Sequence, residues 1–113
     1  VNRSGLIPIM GDARKTEVIA PFIRSKADWI HQDLSIPDQA ETFVNSTMDF
    51  LSDDGIGLLS LKAASERYSE GDIDFRFKKA EDIITSSDLQ LIERIDLKGL
   101  EEQHVVFVCK IIL

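Results

Sequence analysis

Four polar residues of this 113-residue chain border predicted strands and carry side chains that can do chemistry. Asp12 and Asp33 each follow a predicted strand, and Lys62 follows a third. His104 comes directly before the last strand. Carboxylates, amines and imidazoles are the groups that enzymes use to orient substrates and to take or share protons. The set predicts a site for proton-transfer chemistry if the fold brings these residues together.

Strand-like and helix-like stretches alternate along the chain, as is typical of α/β proteins with a parallel sheet. The predicted strands cover residues 6–10, 27–32, 56–61, 89–97 and 105–113, and the predicted helices cover 16–24, 37–51 and 71–87. Residues 52–55 have the composition of a turn, and 56–61 that of a strand buried on both faces. Pro37 suits a first helical position. Trp29 and Phe43 have the spacing of core residues.

The strand order predicts where the polar residues lie. Ligands of open α/β sheets bind beyond the carboxyl ends of the parallel strands. Asp12, Asp33 and Lys62 all follow predicted strands and should meet at that edge. The link before the last strand is too short for a parallel crossover, so that strand should run antiparallel and begin at the same edge. His104 is therefore expected to join the other three.

Charge and composition limit the classes of protein to consider. The chain has 13 Lys and Arg against 20 Asp and Glu, a net charge of −7, so we do not expect it to bind nucleic acid unaided. With 43% hydrophobic and 29% charged residues it should form one globular domain. Neither His31 nor the single Cys109 has partners at metal-site spacing, so no metal is expected. We expect no membrane span and no signal peptide. The first residue is Val rather than Met, which suggests a fragment.

An ordered set of short stretches resembles the second half of fibrillarin, the family of RNA ribose 2′-O-methyltransferases of box C/D particles, and most of all its archaeal form. The stretches are Ile7-Pro8-Ile9, Gly11-Asp12-Ala13-Arg14, Asp33 with Pro37-Asp38-Gln39-Ala40, Gly57-Leu58-Leu59-Ser60-Leu61-Lys62-Ala63, and His104-Val105-Val106. Each stretch alone is a weak signal, but their order and spacing fit the family along the whole chain.

The resemblance implies a Rossmann-like fold that uses S-adenosyl-L-methionine, incomplete here and with an antiparallel C-terminal strand. Residues 1–113 would be the C-terminal part of the catalytic domain, with the glycine-rich cofactor loop and a first catalytic lysine lying upstream. Family knowledge implies a Lys-Asp-Lys-His set, of which Asp33, Lys62 and His104 are the last three. It also implies cofactor contacts, which fall here on Asp12, Ala13, Asp33, Leu34, Ser35 and Ile36.

The expected reaction is guided methylation of ribose in rRNA or tRNA. A lysine can take the hydroxyl proton when a neighbouring cation favours its neutral form, and Lys62 is the candidate. Asp33 would orient the ammonium groups and lie near the sulfonium, and His104 would hold the ribose or the lysine network. Holding the reactants in a near-attack pose can be worth about 7–11 kcal/mol, so placement could matter more than proton transfer.

Three positions depart from the family pattern. Ile36 stands where the family has a Gln near the cofactor, Ala64 where it has an Arg, and Gln103 where it has an Asp. The first of these puts a polar cofactor contact in doubt and the second removes a cation on the RNA side. The departures predict a divergent member with weaker catalysis.

The implied partners are a Nop5-like scaffold protein, an L7Ae-like protein, the box C/D guide RNA and the RNA substrate. The implied location is cytoplasmic in an archaeon and nucleolar in a eukaryote. Two alternatives stay open at this point. The chain could be a non-catalytic interaction module derived from a methyltransferase, or a Rossmann-like methyltransferase with another substrate. Taken singly, Asp33, Lys62 and His104 could also be a turn former, a strand-end cation and a hairpin residue.

Overall fold

The described part of the chain contains a four-stranded sheet and two α-helices whose bounds are known. A computed structural model describes residues 14–15, 17, 20–22, 25–65, 71–97, 99–100 and 103–113. The elements are β1 (Ala27–Asp33), α1 (Gln39–Phe50), β2 (Leu51–Lys62), α2 (Ile73–Thr85), β3 (Leu89–Asp96) and β4 (His104–Ile111), with short 3-10 turns at Ala20–Phe22 and Ala63–Ser65. None of the helices in these ranges is long and apolar enough to cross a membrane.

The strands lie in the order β1-β2-β4-β3. β1 and β2 run parallel, and β4 runs antiparallel to both of its neighbours. The antiparallel final strand is confirmed, because the short link after β3 leaves no room for a crossover. The predicted strand at 6–10 and most of the predicted helix at 16–24 lie outside the described residues.

Both helices pack on the same face of the sheet and bury its core there. Phe43 of α1 is 0% exposed, and its ring lies so close to β2 that a Cβ atom at position 57 would be 3.0 Å from Phe43 Cζ. Glycine at position 57 therefore lets helix and strand approach closely. Cys109 is part of this core, and burial raises the pKa of its thiol to about 12. The thiol is thus a small apolar group rather than a nucleophile.

The opposite, open face of the sheet is covered by neither helix: over the described residues its side chains are exposed on β1 and mostly half-buried on β2 and β4. Trp29 is 59% exposed on that face, so the prediction that it belongs to the core is wrong. Along β2 fully buried residues alternate with half-buried or exposed ones, so the prediction that it is buried on both faces is also wrong. Strand residues point alternately to the two faces, and both helices cover the same one.

The predicted turn at residues 52–55 is also wrong, because β2 begins at Leu51. The register of β1 against β2 is irregular between Ala27 and Trp29, as at a β-bulge. A Cβ atom at position 55 would be 3.0 Å from the carbonyl oxygen of Asp28. Gly55 therefore serves a close approach of two strands at the irregularity rather than a turn.

The helices begin with different caps. Asp72 caps α2 with its side chain, which accepts a hydrogen bond of 2.9 Å from the backbone N–H of Phe75. Asp38 precedes α1 without a side-chain cap, and its Oδ1 lies 3.8 Å from Arg14 Nη1. Pro37 is in a turn and not at the first helical position. The first helical residue is Gln39, whose side chain serves the site described below.

Candidate functional site

The sheet brings Asp33, Lys62 and His104 together. Asp33 ends β1 and is paired in register with Ser60, while Lys62 ends β2 and is paired with His104 at the start of β4. Ser60 and Lys62 are two residues apart on one strand, so their side chains lie on the same face, and their register partners share it. The predicted convergence at the carboxyl ends of the parallel strands is confirmed for these three residues, while Asp12, the fourth, lies outside the described residues.

Part of this cluster is accessible to a ligand, although the Nδ1 atom of His104 is buried. Asp33 and Lys62 are exposed, and Ser60 and His104 are half-buried. They lie at the end of the open face of the sheet, which is opposite the face that the two helices cover. A carboxylate, an amine and an imidazole on three neighbouring strands can hold a hydroxyl group, take its proton and balance a positive charge.

The backbone at the end of β2 is held from both sides. The side chain of Gln39 donates from Nε2 to the Lys62 carbonyl oxygen at 2.9 Å and accepts at Oε1 from the Lys62 N–H at 2.9 Å. Ala63 donates its N–H to the Gln103 carbonyl oxygen at 2.9 Å and accepts from Arg76 Nη1 at 2.9 Å. These bonds fix the point from which the Lys62 side chain extends.

The same bonds define the pairing of Lys62 with His104. Because the Lys62 N–H and carbonyl both face Gln39, Lys62 and His104 form a non-hydrogen-bonded pair of the antiparallel ladder. In such pairs the Cα atoms are about 4.5 Å apart and the side chains are at their closest. The amine and the imidazole therefore start from neighbouring positions.

A second histidine, for which the sequence predicts no role, lies on this face. His31 Nε2 and Ser60 Oγ are 2.8 Å apart, and the His31 ring centroid is 5.9 Å from that of Trp29. Trp29, His31 and Asp33 alternate along β1, so all three point to the open face. The alternation of these three residues could have placed His31 beside Asp33. The prediction that Trp29 is buried assigned this face of the strand to the core instead.

A cleft of about 330 Å³ adjoins the end of β1. It is lined by Ile30, His31, Gln32, Asp33, Leu34 and Ser46. Its volume is at the lower end of the range for small-molecule sites, about 300–1,000 Å³. The lining combines apolar and uncharged polar groups with one exposed carboxylate, that of Asp33, which is complementary to a ligand that carries a positive charge.

The other predicted cofactor residues are placed only in part. Leu34 lines the cleft, while Ser35 is exposed and Ile36 is half-buried in the loop before α1. Asp12 and Ala13 lie outside the described residues, so their predicted contacts stay predictions. Within the described ranges there is no group of three or more His, Cys, Asp or Glu side chains that could hold a metal ion.

Comparison with solved structures defines the class of protein. The chain superposes on a fibrillarin pre-rRNA processing protein from Methanococcus jannaschii with a TM-score of 0.85 and 31% identity, over 96% of this chain and 46% of that one. For an Aeropyrum pernix fibrillarin with natively bound S-adenosyl-L-methionine the TM-score is 0.78 and the identity 24%, over 95% of this chain and 46% of that one. For a fibrillarin in complex with Nop5p the TM-score is 0.85 and the identity 23%, over 96% of this chain and 51% of that one. The fold is that of the S-adenosylmethionine-dependent methyltransferases.

The sequence comparisons are more specific. The fibrillarin family model matches residues 1–112, and the chain belongs to the fibrillarin family. It is 31% identical over 106 residues to the fibrillarin-like rRNA/tRNA 2′-O-methyltransferase of Methanocaldococcus jannaschii, covering 94% of this chain and 45% of the relative. For the protein of that name from Methanococcus voltae the identity is 32%, with 94% and 46% covered. The chain spans about half the length of these relatives.

Proposed function

We propose that this chain is part of an enzyme that transfers a methyl group from S-adenosylmethionine to the 2′-hydroxyl of ribose in rRNA or tRNA. The cluster of Asp33, Lys62 and His104 carries the proposal, because it gathers a carboxylate, an amine and an imidazole on one sheet edge. The names of relatives that are 31% and 32% identical support the same reaction.

S-adenosylmethionine supplies an activated methyl group on a positively charged sulfur. Asp33 lines the cleft, where its carboxylate is complementary to that charge. Lys62 takes the proton from the ribose hydroxyl, which is a poor nucleophile in its neutral form. His104 starts from the neighbouring position and holds the ribose or the Lys62 amine. Orientation of the hydroxyl is the larger part of the catalysis, since a fixed pose removes much of the entropic cost.

Partner subunits bind the RNA. A net charge of −7 does not favour binding to phosphates, so the RNA is held by other subunits. A relative of similar fold was solved as a fibrillarin/Nop5p complex, which supports a Nop5-like scaffold. An L7Ae-like protein and a box C/D guide RNA complete the proposed particle. It would work in the cytoplasm of an archaeon, or in the nucleolus of a eukaryote.

The test is a guided methylation assay with the complete gene product. Radiolabelled S-adenosylmethionine, Nop5-like and L7Ae-like proteins and a box C/D guide are mixed with a target RNA. We expect label at the one guided ribose, and no label when that ribose is a 2′-deoxyribose. Label that is independent of the guide would contradict the guided reaction and favour a methyltransferase with another substrate. Absence of any transfer would favour a non-catalytic interaction module.

The 113 residues on their own are expected not to bind S-adenosylmethionine measurably. The cleft at the end of β1 is open to solvent, and a ligand of this size needs most of its surface covered. Isothermal titration calorimetry on the chain of residues 1–113 checks this, with the complete gene product as the control. Micromolar binding by the short chain would show the expectation to be wrong.

A further inference from the structure

A buried pair of glutamines joins the strand ends that carry Asp33 and Lys62. Gln39 is 0% exposed and Gln32 is 6% exposed. Gln32 Nε2 donates to the Gln39 carbonyl oxygen at 2.8 Å, and the Gln39 side chain binds the Lys62 backbone through both of its polar atoms. A continuous path of hydrogen bonds thus runs from the residue before Asp33 to Lys62.

The Gln39 amide takes the place of a strand. β1 ends where Asp33 meets Ser60, so among the described residues Lys62 has no backbone partner on the β1 side. Buried backbone N–H and carbonyl groups need partners. A glutamine amide has one donor side and one acceptor side, as a peptide group has, and it satisfies both groups of Lys62 at 2.9 Å each. Neither a carboxylate nor an apolar side chain of this length can do so.

We propose that Gln39 is a positioning residue for methyl transfer, whose amide holds the Lys62 backbone in register with His104 and two residues along β2 from Ser60, the register partner of Asp33. The proposal rests on the proposed function. In this role Gln39 acts through the Lys62 backbone, without itself contacting S-adenosylmethionine or the ribose. Gln32 extends the same bridge to β1, so that the spacing between Asp33 and Lys62 is set by buried bonds rather than by the exposed side chains themselves.

The variant Gln39→Glu tests this because its two hydrogen bonds to the Lys62 backbone depend on pH. A protonated glutamic acid can donate to the Lys62 carbonyl and accept from its N–H, as the amide does. An ionised one repels the carbonyl oxygen. Burial of the side chain and the nearby Asp38 both favour the neutral acid, so its pKa should lie above that of an exposed glutamic acid. As pH rises, the glutamic acid ionises and its hydrogen bond to the Lys62 carbonyl oxygen should be lost.

We expect the kcat of Gln39→Glu to match the wild type at low pH and to fall up to about 100-fold below it as pH rises, because small misplacements of reacting groups are costly. The KM for S-adenosylmethionine should stay unchanged. The measurement is guided methylation by the complete gene product between about pH 6 and 9, a span chosen to include the titration of buried carboxyl groups. Gln39→Met should lose activity equally at every pH.

Gln90→Glu adds the same charge at an exposed position of β3 and serves as the control. It should keep the wild-type pH profile. Circular dichroism at each pH measures the folded fraction. The positioning role is wrong if the kcat of Gln39→Glu equals that of Gln90→Glu at every pH. It is also wrong if the kcat of Gln39→Glu falls only in proportion to its folded fraction. If the wild type itself is inactive in the assay, it is the proposed function that fails.

Discussion

Replacing Lys62 with alanine in the complete gene product is expected to abolish guided methyl transfer while leaving the fold intact. Loss of a positioned proton acceptor costs about 10²–10⁴-fold in rate, and loss of a group that also orients the substrate adds to this. The fold should survive because the side chain is exposed and the bonds to Gln39 use only backbone atoms of Lys62. The measurement is single-turnover transfer of labelled methyl to a guided RNA.

Lys110→Ala is the matched control for this experiment. Lys110 is on β4 and points to the same face of the sheet as His104, six residues further along the strand. Its removal lowers the net charge equally but leaves the site untouched, so turnover should stay near the wild-type rate. Near-normal turnover of Lys62→Ala would remove Lys62 from the mechanism, whatever the control does.

Replacing Phe43 with alanine is expected to cost about 3–5 kcal/mol of unfolding free energy. The ring is 0% exposed and packs against the backbone of Gly57, where no side chain exists to fill the space that it would leave. A loss of this size is a large part of the total stability of a domain, about 5–15 kcal/mol. Urea unfolding of the complete gene product measures the change.

Phe75→Ala on α2 is the control for Phe43→Ala. Both substitutions remove an aromatic ring from a helix, but Phe75 is 54% exposed. It should therefore cost a small fraction of what Phe43→Ala costs. Equal losses for the two variants would mean that the packing of α1 on β2 does not carry the stability assigned to it.

Several features of the fold could be predicted from the sequence because they depend on short segments. The apolar period of 71–87 predicts a helix, and α2 is found at Ile73–Thr85. The length of the link before β4 predicts its antiparallel direction, since chain reach alone excludes a crossover. The edge shared by Asp33, Lys62 and His104 follows from these two kinds of information without any side-chain detail.

Other features could not be predicted because one local pattern serves two structures. Residues 52–55 have turn composition, but Gly55 is needed where the backbone of Asp28 passes close by. Pro37 suits the start of a helix, but the helix begins two residues later, where Gln39 faces Lys62. In both cases the residue concerned contacts a segment distant in sequence, which local composition does not reveal.

The sequence by itself determined the order of strands and helices, the direction of the last strand and the edge at which the polar residues meet. These are set by local periodicity and by the reach of short links. Only the tertiary structure decided which face of the sheet is covered, and with it the exposure of Trp29 and the pairing of His31 with Ser60. Strand alternation defines two faces but does not say on which one the helices pack, because that choice depends on all the elements at once.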